Sequence, residues 1–554
     1  MKRKWWKEAI GYQIYPRSFM DSNGDGIGDI PGIISKLDYL KDLGIDVIWV
    51  CPFYKSPNDD NGYDISDYKE IMSDFGTIND FDNLLREVHN RGMKLIIDLV
   101  VNHTSDEHPW FIESKSSKDN PKRDWYIWRE GKDGKEPNNW ESIFKGSAWE
   151  LDEKTEEYYL HLFTKKQPDL NWENKDVRNE IYNMINWWLD KGIDGFRVDA
   201  ISHIKKEPGL KDMPNPNNER YVSSFDKHMN VEGVQDFLKE LKENTFDKYD
   251  IMTVGEANGV STEDAEEWVG EENGKFSMVF QFEHLDLWNN ANNEKFNAKQ
   301  CKEVLSNWQI ALEEKGWNAL FIENHDITRV VSSWGNDKDY WRESSKALGL
   351  MYFMQKGTPF IYQGQEIGMT NVKFKSIDEY NDVKGINYFK ENIENGMSED
   401  EALRIIRATS RDNTRTPMQW DSTKNAGFTY GTPWIGVTDN YKNINVEIEL
   451  NDDDSILNFY KKMIKLKKER LPLIYGKYNL ILEEDEDIYA YERILDNDRY
   501  IIITNLSENN VIYSYKNAVL NSDNLLLSNY QVKEHKDSTE FDLRPYEARL
   551  YKVK

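Results

Sequence analysis

The segment WWLDKGIDGFRVDA, residues 187–200, joins the end of an amphipathic helical pattern to a short apolar run at 196–198. The same alternation recurs along the chain, with helical stretches at 33–43, 81–89 and 177–189. Strands that are covered on both faces of a sheet are expected to be almost continuously apolar. Eight such runs with helical crossovers predict a parallel (β/α)8 TIM barrel. The runs lie at 10–15, 47–53, 95–101, 196–198, 251–254, 278–282, 319–322 and 359–362.

Two long interruptions and one change of pattern divide the rest of the chain. The interval between 101 and 196 is too long for a single crossover helix and is rich in Asp, Lys, Asn, Trp and Pro. We therefore expect an inserted, irregular domain B at 105–173, which splits barrel domain A into 1–104 and 174–475. A long loop subdomain at about 371–442 follows the eighth run. Short alternating runs then predict a C-terminal antiparallel β domain at 476–554, with strands near 488–491, 500–504, 511–513 and 548–551.

The composition excludes several classes of function. The chain has 71 basic and 99 acidic residues, so its formal charge is −28, and a nucleic-acid binder would need a basic face. With 31% charged and 38% hydrophobic residues, the chain is too polar for a multi-span membrane protein. The sequence contains no 18-residue apolar window, and we expect a cytoplasmic protein without a signal peptide. Cys51 and Cys301 are expected as two free thiols, with one disulfide as the alternative.

Polar side chains follow several of the predicted strands at the point where each strand ends. In a TIM barrel, this rim carries the active site. Two carboxyl groups in one pocket suit glycoside hydrolysis, in which one stays ionised and the other carries a proton. The segments with these side chains are DLVVNH (98–103), GFRVDA (195–200), GE (255–256) and ENHD (323–326).

The spacing within the fourth run indicates which carboxyl group is the nucleophile. Arg197 and Asp199 are two residues apart, so on a strand both side chains point to the same face. A neighbouring guanidinium favours the ionised form of Asp199, as a carboxylate nucleophile requires. Glu256 is the better acid if its surroundings are drier.

A loop near the N-terminus has the oxygen spacing of a calcium site. The segment 21–29, DSNGDGIGD, places oxygen donors at alternate positions, as in the first part of an EF-hand loop. The usual Glu at position 12 is absent, because residue 32 is Gly, so the loop belongs to another scaffold. We expect a structural Ca2+, with Mg2+ as the alternative, and neither a catalytic metal nor an organic cofactor. The predicted ligands are Asp21, Asn23, Asp25, the backbone carbonyl of Ile27, and Asp29.

Taken in order, the four strand-end segments resemble the conserved motifs of the α-amylase superfamily of glycoside hydrolases, family 13. The similarity extends from GYQIYPRSF (11–19) to the C-terminal β domain. Three more segments resemble its oligo-1,6-glucosidase and α-glucosidase branch: QPDLN (167–171), IYQGQEIGM (361–369) and RTPMQW (415–420).

The resemblance implies an exo-acting, retaining α-glucosidase that works by double displacement. Asp199 would be the nucleophile, Glu256 the general acid and base, and Asp326 would stabilise the transition state. His103, Arg197 and His325 would hold the glucose, and Tyr63 would stack on its ring. Asp60 and Arg411 would pair across the closed end of the pocket and bind the terminal glucose. Phe144, Phe163 and Gln167 are further candidates for the pocket wall, for which packing between domains is an equally good interpretation.

In this branch, the residue after the nucleophile correlates with the glycosidic linkage that the enzyme prefers. Val accompanies α-1,6 cleavage, and smaller or polar residues accompany α-1,4 cleavage. Ala200 therefore favours maltose and malto-oligosaccharides. The alternatives are an oligo-1,6-glucosidase acting on isomaltose or panose, a trehalose-6-phosphate hydrolase and a sucrose-acting transglucosidase. A non-catalytic binding subunit, like the transporter heavy chains that resemble this fold, is the alternative outside the enzymes. We expect a small oligosaccharide or disaccharide as partner, and a monomer or weak homodimer.

Overall fold

The computed structural model describes residues 3–288 and 296–553, and its centre is a barrel of eight parallel strands. Consecutive strands pair from the first to the sixth, and the eighth pairs with both the first and the seventh. The predicted TIM barrel is thus confirmed. It is nearly closed, because among the described strands only the sixth and the seventh lie at the two ends of the hydrogen-bonded order. The strands are Gly11–Ile14, Val47–Val50, Lys94–Val100, Gly195–Asp199, Met252–Ala257, Met278–Gln281, Ala319–Leu320 and Thr358–Tyr362.

The seventh strand is shorter than predicted, because only Ala319–Leu320 is paired, whereas the apolar run continues to residue 322. The fourth strand begins at Gly195 for a steric reason. Its φ is 142°, and a Cβ atom at this position would lie 1.8 Å from the carbonyl oxygen of Met252 on the fifth strand. A residue with a side chain cannot make this approach, so the glycine allows the strand that carries Arg197 and Asp199 to pair closely with its neighbour.

Helices cover the outside of the barrel, and most bury one apolar face, whereas the helix Trp341–Phe353 is buried on all sides from Ser344 onward. Their start signals are local: Thr77 and Asp80 form a capping box at the helix that follows the second strand. The helices around the barrel are Ile30–Ser35, Leu37–Leu43, Ile78–Asn90, Lys175–Asp190, Val234–Asn244, Ala265–Val269, Ala298–Ala311, Val330–Ser333, Trp341–Phe353, Val446–Leu450, Ile456–Lys468 and Leu471–Tyr475.

The segment after the third strand is more regular than its composition predicts. It contains the helix Pro109–Ser114 and an antiparallel sheet of Trp128–Glu130, Glu157–Leu160 and Trp149–Asp152. One further ladder connects this segment to the chain after the fourth strand, where Trp140–Glu141 pairs with Val222–Ser223. Between the second and third strands, Tyr54–Lys55 forms a short ladder with Asp67–Ile71. The segment after the eighth strand is also not a plain loop, because it contains the helices Val383–Glu394, Glu399–Thr409 and Asp412–Arg415.

The predicted C-terminal antiparallel domain is confirmed. Its five-stranded sheet has the order Lys477–Ile481, Ile488–Leu495, Asp498–Asn505, Ala548–Val553 and Leu525–Ser528, and Val511–Ser514 pairs with Glu540–Leu543. Both cysteines are buried free thiols. Across the described residues, no helix combines the length and apolar character needed to span a bilayer.

Candidate active site

A cavity of about 520 Å3 opens at the carboxyl ends of the barrel strands, where the sequence predicts the site. Ten of the thirteen predicted catalytic and substrate-binding residues line it. The other three, Gln167, Arg197 and His325, lie behind the wall and hydrogen-bond to residues that line it. The ten are Asp60, Tyr63, His103, Phe144, Phe163, Asp199, Ala200, Glu256, Asp326 and Arg411.

One buried guanidinium holds three carboxyl groups at the centre of this wall. Arg197 Nη1 donates to Asp98 at 2.7 Å and to Asp199 at 2.6 Å, and its Nη2 donates to Glu256 at 2.7 Å. Asp199 ends the fourth strand, and Glu256 is the penultimate residue of the fifth. The parallel register therefore brings the two predicted reacting carboxyl groups to the same cation.

Three carboxyl groups around one guanidinium leave an excess of negative charge, so a proton is readily retained among them. Burial raises the pKa of Asp199 well above its ordinary value, Arg197 opposes this rise, and Glu256 adds to it. Burial also raises the pKa of Asp98, to about 6. The two side chains are almost equally buried, since that of Glu256 is 14% exposed and that of Asp199 is 10% exposed, so burial does not single out Glu256 as the acid.

The third predicted carboxylate has the opposite electrostatic environment. Asp326 lies in the loop after the seventh strand and accepts a hydrogen bond of 2.8 Å from Arg415. Burial alone would raise its pKa, but the positive charge of His325, when that ring is protonated, and the charges of Arg415 and Arg411 outweigh burial and hold the pKa well below its usual range. The surroundings therefore favour the ionised form of Asp326, whereas burial disfavours the ionised form of Asp199.

The two predicted histidines are buried and neutral. Burial lowers the pKa of His325 to about 3 and that of His103 to about 4. His325 stacks on Tyr63 with ring centroids 5.4 Å apart and planes 8° apart, and its Nε2 lies 2.6 Å from the tyrosine hydroxyl. Gln167 Nε2 lies 3.2 Å from His103 Nε2. His103 therefore adds an uncharged ring to the cavity lining. His325 lies behind the wall, where its other nitrogen, Nδ1, is 2.8 Å from Gln13 Nε2, so it positions Tyr63.

An ion-pair network closes one end of the cavity. Arg411 Nη2 donates to Asp60 at 3.3 Å, and Arg411 Nε donates to Asp382 at 2.8 Å. Gln167 Nε2 also donates to Asp60, at 3.2 Å. The predicted pairing of Asp60 with Arg411 is thus present, and Asp382 fixes the guanidinium from the other side. A chain that ran through the cavity would collide with this network.

The two phenylalanines occupy the wall between the inserted segment and the barrel. The central carbon of the Arg411 guanidinium lies 4.9 Å from the ring centroid of Phe144. Phe163 packs on His103 with ring centroids 4.9 Å apart. Their exposed edges face the cavity, so packing and pocket lining are combined in the same residues.

Ala200 has an unusual backbone conformation directly after Asp199. Its φ is 43°, in the left-handed region that residues with a side chain seldom adopt. In this conformation its N–H donates to Glu256 Oε2 at 2.7 Å. The backbone strain thus accompanies a hydrogen bond from the residue that follows Asp199 to the carboxylate of Glu256.

Sequence reasoning missed several residues of the site. Asp98 and Arg415 lie inside quoted motifs, at the start of DLVVNH and RTPMQW, and could have been chosen there. Asp382 lies in the segment after the eighth strand, and no local pattern marks it. Further lining residues that were not predicted are Ile143, His203, Phe225, Met229, Asn258, Phe282, Leu285, Asn324, Ile327 and Lys384.

The predicted calcium loop does not contribute to the cavity lining. Asp21, Asn23 and Asp25 each accept the backbone N–H two residues further on, at 2.8 or 2.9 Å. Asp29 uses one carboxylate oxygen for Gly32 and the other for Ser22. In the part of the chain that the structure describes, no three His, Cys, Asp or Glu side chains come together as a metal site.

Comparison with known proteins agrees with this geometry. The family model for the alpha amylase catalytic domain matches residues 13–476. The chain is 59% identical to the probable oligo-1,6-glucosidase 3 of Bacillus subtilis and 54% identical to the oligo-1,6-glucosidase of Parageobacillus thermoglucosidasius, each match covering all of both chains. It also superposes on a crystal structure of trehalose-6-phosphate hydrolase from Bacillus licheniformis with a TM-score of 0.93, 44% identity and complete coverage of both chains. The chain therefore belongs to the α-amylase superfamily of glycoside hydrolases, in its oligo-1,6-glucosidase and α-glucosidase branch.

Proposed function

We propose that this α-glucosidase removes single glucose units from the non-reducing end of short α-glucosides, with retention of configuration. The observation that carries the proposal is the Arg197 guanidinium that bridges Asp199 and Glu256. It places a nucleophile and a proton donor beside one another in a cavity of sugar size. Asp199 is the proposed nucleophile, Glu256 the acid and base, and Asp326 the anion that stabilises positive charge on the sugar.

In the first step, an Asp199 carboxylate oxygen bonds to C1 of the glucose. The C1–O bond to the leaving sugar breaks, and its electron pair stays on the leaving oxygen, which takes a proton from Glu256. The proposed mechanism places the proton on Glu256 and the negative charge on Asp199 before the bond breaks. The Arg197 guanidinium stabilises whichever carboxyl group is ionised at each stage.

In the second step, the Glu256 carboxylate takes a proton from water while the water oxygen bonds to C1. The ester bond to Asp199 breaks, and α-glucose leaves. The ionised Asp326 lies at the same cavity and stabilises the oxocarbenium-like charge that develops in both steps. Two inversions at C1 give net retention.

The closed end of the cavity supports exo action. The Asp60–Arg411–Asp382 network occupies the position that a longer glucan chain would need. Charged groups that are already paired offer hydrogen bonds to the hydroxyls of a terminal glucose without further reorganisation. One glucose unit is therefore the proposed product of each turnover.

Two observations point to different linkages. Ala200 lines the cavity beside the nucleophile, and its small side chain leaves room for the α-1,4-linked aglycone of maltose. We therefore propose α-1,4 preference. The second candidate is α-1,6 cleavage, which the names of the relatives at 59% and 54% identity favour.

We expect maltose to give a kcat/KM at least about tenfold higher than isomaltose. Ala200→Val adds two methyl groups beside the aglycone, and one such group in an apolar pocket is worth roughly ten- to hundredfold. Ala200→Val would then move the ratio toward isomaltose by about tenfold. The measurement is glucose release from both disaccharides at matched concentrations, with Asp199→Ala as the blank. An isomaltose preference in the unmodified enzyme, or a ratio unchanged by Ala200→Val, would contradict the α-1,4 assignment.

We propose a structural Ca2+ at the loop 21–29, and the oxygen chemistry of Asp21, Asn23, Asp25 and the Ile27 carbonyl supports it. Asp21 and Asp29 are the weakest of the five predicted ligands, because both oxygens of each carboxylate already accept hydrogen bonds. The loop is far from the reacting carboxyl groups in the chain and is proposed to stabilise the fold.

If the loop binds Ca2+, saturating Ca2+ raises the melting temperature relative to the same protein in EGTA, since a ligand at a hundred times its Kd adds about 2.7 kcal/mol. Asp25→Ala is expected to abolish this increase, and Asp119→Ala, at an exposed position outside the loop, is expected to keep it. Melting curves with and without Ca2+ test this. Identical curves for the unmodified protein would contradict the site.

The remaining proposals concern the setting of the enzyme. The buried free thiols Cys51 and Cys301 fit a reducing cytoplasm. We propose a monomer or weak homodimer that needs no organic cofactor and acts on small oligosaccharides.

A further inference from the structure

Lys384 occupies an unusual position at the mouth of the active-site cavity. It lines the cavity and is exposed to solvent. Of the charged residues that line the cavity, Arg411 is held by three carboxylates. By contrast, no hydrogen bond or ion pair connects the Lys384 amine to any residue of the ranges 3–288 and 296–553.

The backbone around Lys384 is held from both sides, although its amine is free. Asp382, two residues before it, accepts hydrogen bonds from the Arg411 N–H at 3.0 Å and from Nε at 2.8 Å. Asn387, three residues after it, donates to the carbonyl oxygen of Phe144 across the cavity wall. The first turn of the helix Val383–Glu394 is therefore held in place and carries an ammonium group without a partner at the entrance, in a protein whose net charge is −28.

The position of Lys384 relative to the closed end determines which part of a substrate it meets. Asp60 and the reacting carboxyl groups line the buried part of the cavity, and the proposed function places the terminal glucose there. The aglycone must then extend toward the open mouth, where the exposed Lys384 lies. Protein atoms still crowd the amine, and this partial burial, followed by repulsion from Arg411, lowers its pKa. A partly desolvated donor forms stronger hydrogen bonds than one in bulk water.

We propose that Lys384 is a specificity-determining residue that binds the aglycone sugar. Its ammonium group has three donors and no acceptor, so its partners are hydroxyl and ring oxygens of the leaving sugar. This inference rests on the proposed function, because it takes the glucose at the closed end as given. It assigns to Lys384 a contact with the leaving group and no contact with the glucose that is transferred.

Two substrates separate the aglycone from the glucose. Maltose has a leaving sugar, whereas α-glucosyl fluoride offers the same glucose with fluoride as the leaving group. The measured quantity is the ratio of kcat/KM for maltose to kcat/KM for α-glucosyl fluoride. A hydrogen bond from a charged donor is worth roughly ten- to hundredfold, so Lys384→Met is expected to lower this ratio by at least about tenfold. Lys384→Arg, which keeps a donor at the mouth, is expected to restore part of it.

Lys390→Met is the matched control, because Lys390 is exposed on the same helix and does not line the cavity. It should leave both substrates unaffected. An unchanged ratio in Lys384→Met would overturn the inference, whether both rates stay high or both fall together through a structural defect. If the unmodified enzyme releases glucose from neither substrate, the proposed function fails, and the assignment of Lys384 falls with it.

Discussion

Asp199→Gly is expected to lower kcat/KM for maltose by about 10⁴-fold or more, because it removes the atom that bonds to C1. This corresponds to a loss of at least about 5 kcal/mol of transition-state stabilisation. The carboxylate is buried and ends a barrel strand, so no neighbouring oxygen can replace it without moving the strand. Steady-state kinetics on maltose measures the loss.

Azide rescue separates loss of the nucleophile from loss of the fold. The cavity left by Asp199→Gly admits a small anion, which can attack C1 of α-glucosyl fluoride and displace fluoride with one inversion. The expected product is β-glucosyl azide, at a rate that rises with azide concentration. Asp326→Gly is the matched variant, since Asp326 also lines the cavity but forms no bond to C1 in the proposed mechanism. Activity in Asp199→Gly within tenfold of the unmodified enzyme would refute the assignment.

Arg197→Lys is expected to lower kcat/KM by about 10²- to 10³-fold and to destabilise the protein. The guanidinium reaches Asp98, Asp199 and Glu256 through two nitrogen atoms, and a single ammonium group cannot reproduce this planar fork. Breaking a buried charge network in this way costs roughly 3–5 kcal/mol. Kinetics on maltose and thermal melting measure the two effects.

Arg493→Lys provides the comparison for Arg197→Lys. Arg493 is also fully buried, but it lies on the strand Ile488–Leu495 of the C-terminal domain and donates to backbone carbonyls of the barrel domain such as that of Met354. We expect this variant to lower the melting temperature and to leave kcat/KM nearly unchanged. If both variants lose stability equally and neither loses activity, the guanidinium has a structural role only.

The barrel and the main site residues could be predicted because both depend on local sequence. Apolar runs identify buried strands, and Asp199 and Glu256 lie at or next to the ends of such runs. Parallel strands then bring these ends together without further information. The seventh strand was predicted too long because the apolar run 319–322 continues after the ladder pairing stops at Leu320.

The rest depends on contacts between distant segments. Asp382 holds Arg411, and Lys384 lies at the mouth, only because the segment after the eighth strand folds back as helices over the cavity. The burial of Asp199 is likewise a property of packing. The spacing of Arg197 and Asp199 predicts only that the guanidinium lowers the pKa of Asp199, whereas burial raises this pKa by more. Neither feature has a periodic or compositional signal in the sequence.

The most direct test of the central claim is the anomeric form of the first glucose released from maltose. Double displacement at Asp199 predicts that proton NMR spectra taken before mutarotation show glucose in excess in the α form, which then decays to the equilibrium mixture. An initial share of β-glucose above its share in the equilibrium mixture would show a single inversion at C1. That result would contradict the covalent intermediate and the roles assigned to Asp199 and Glu256.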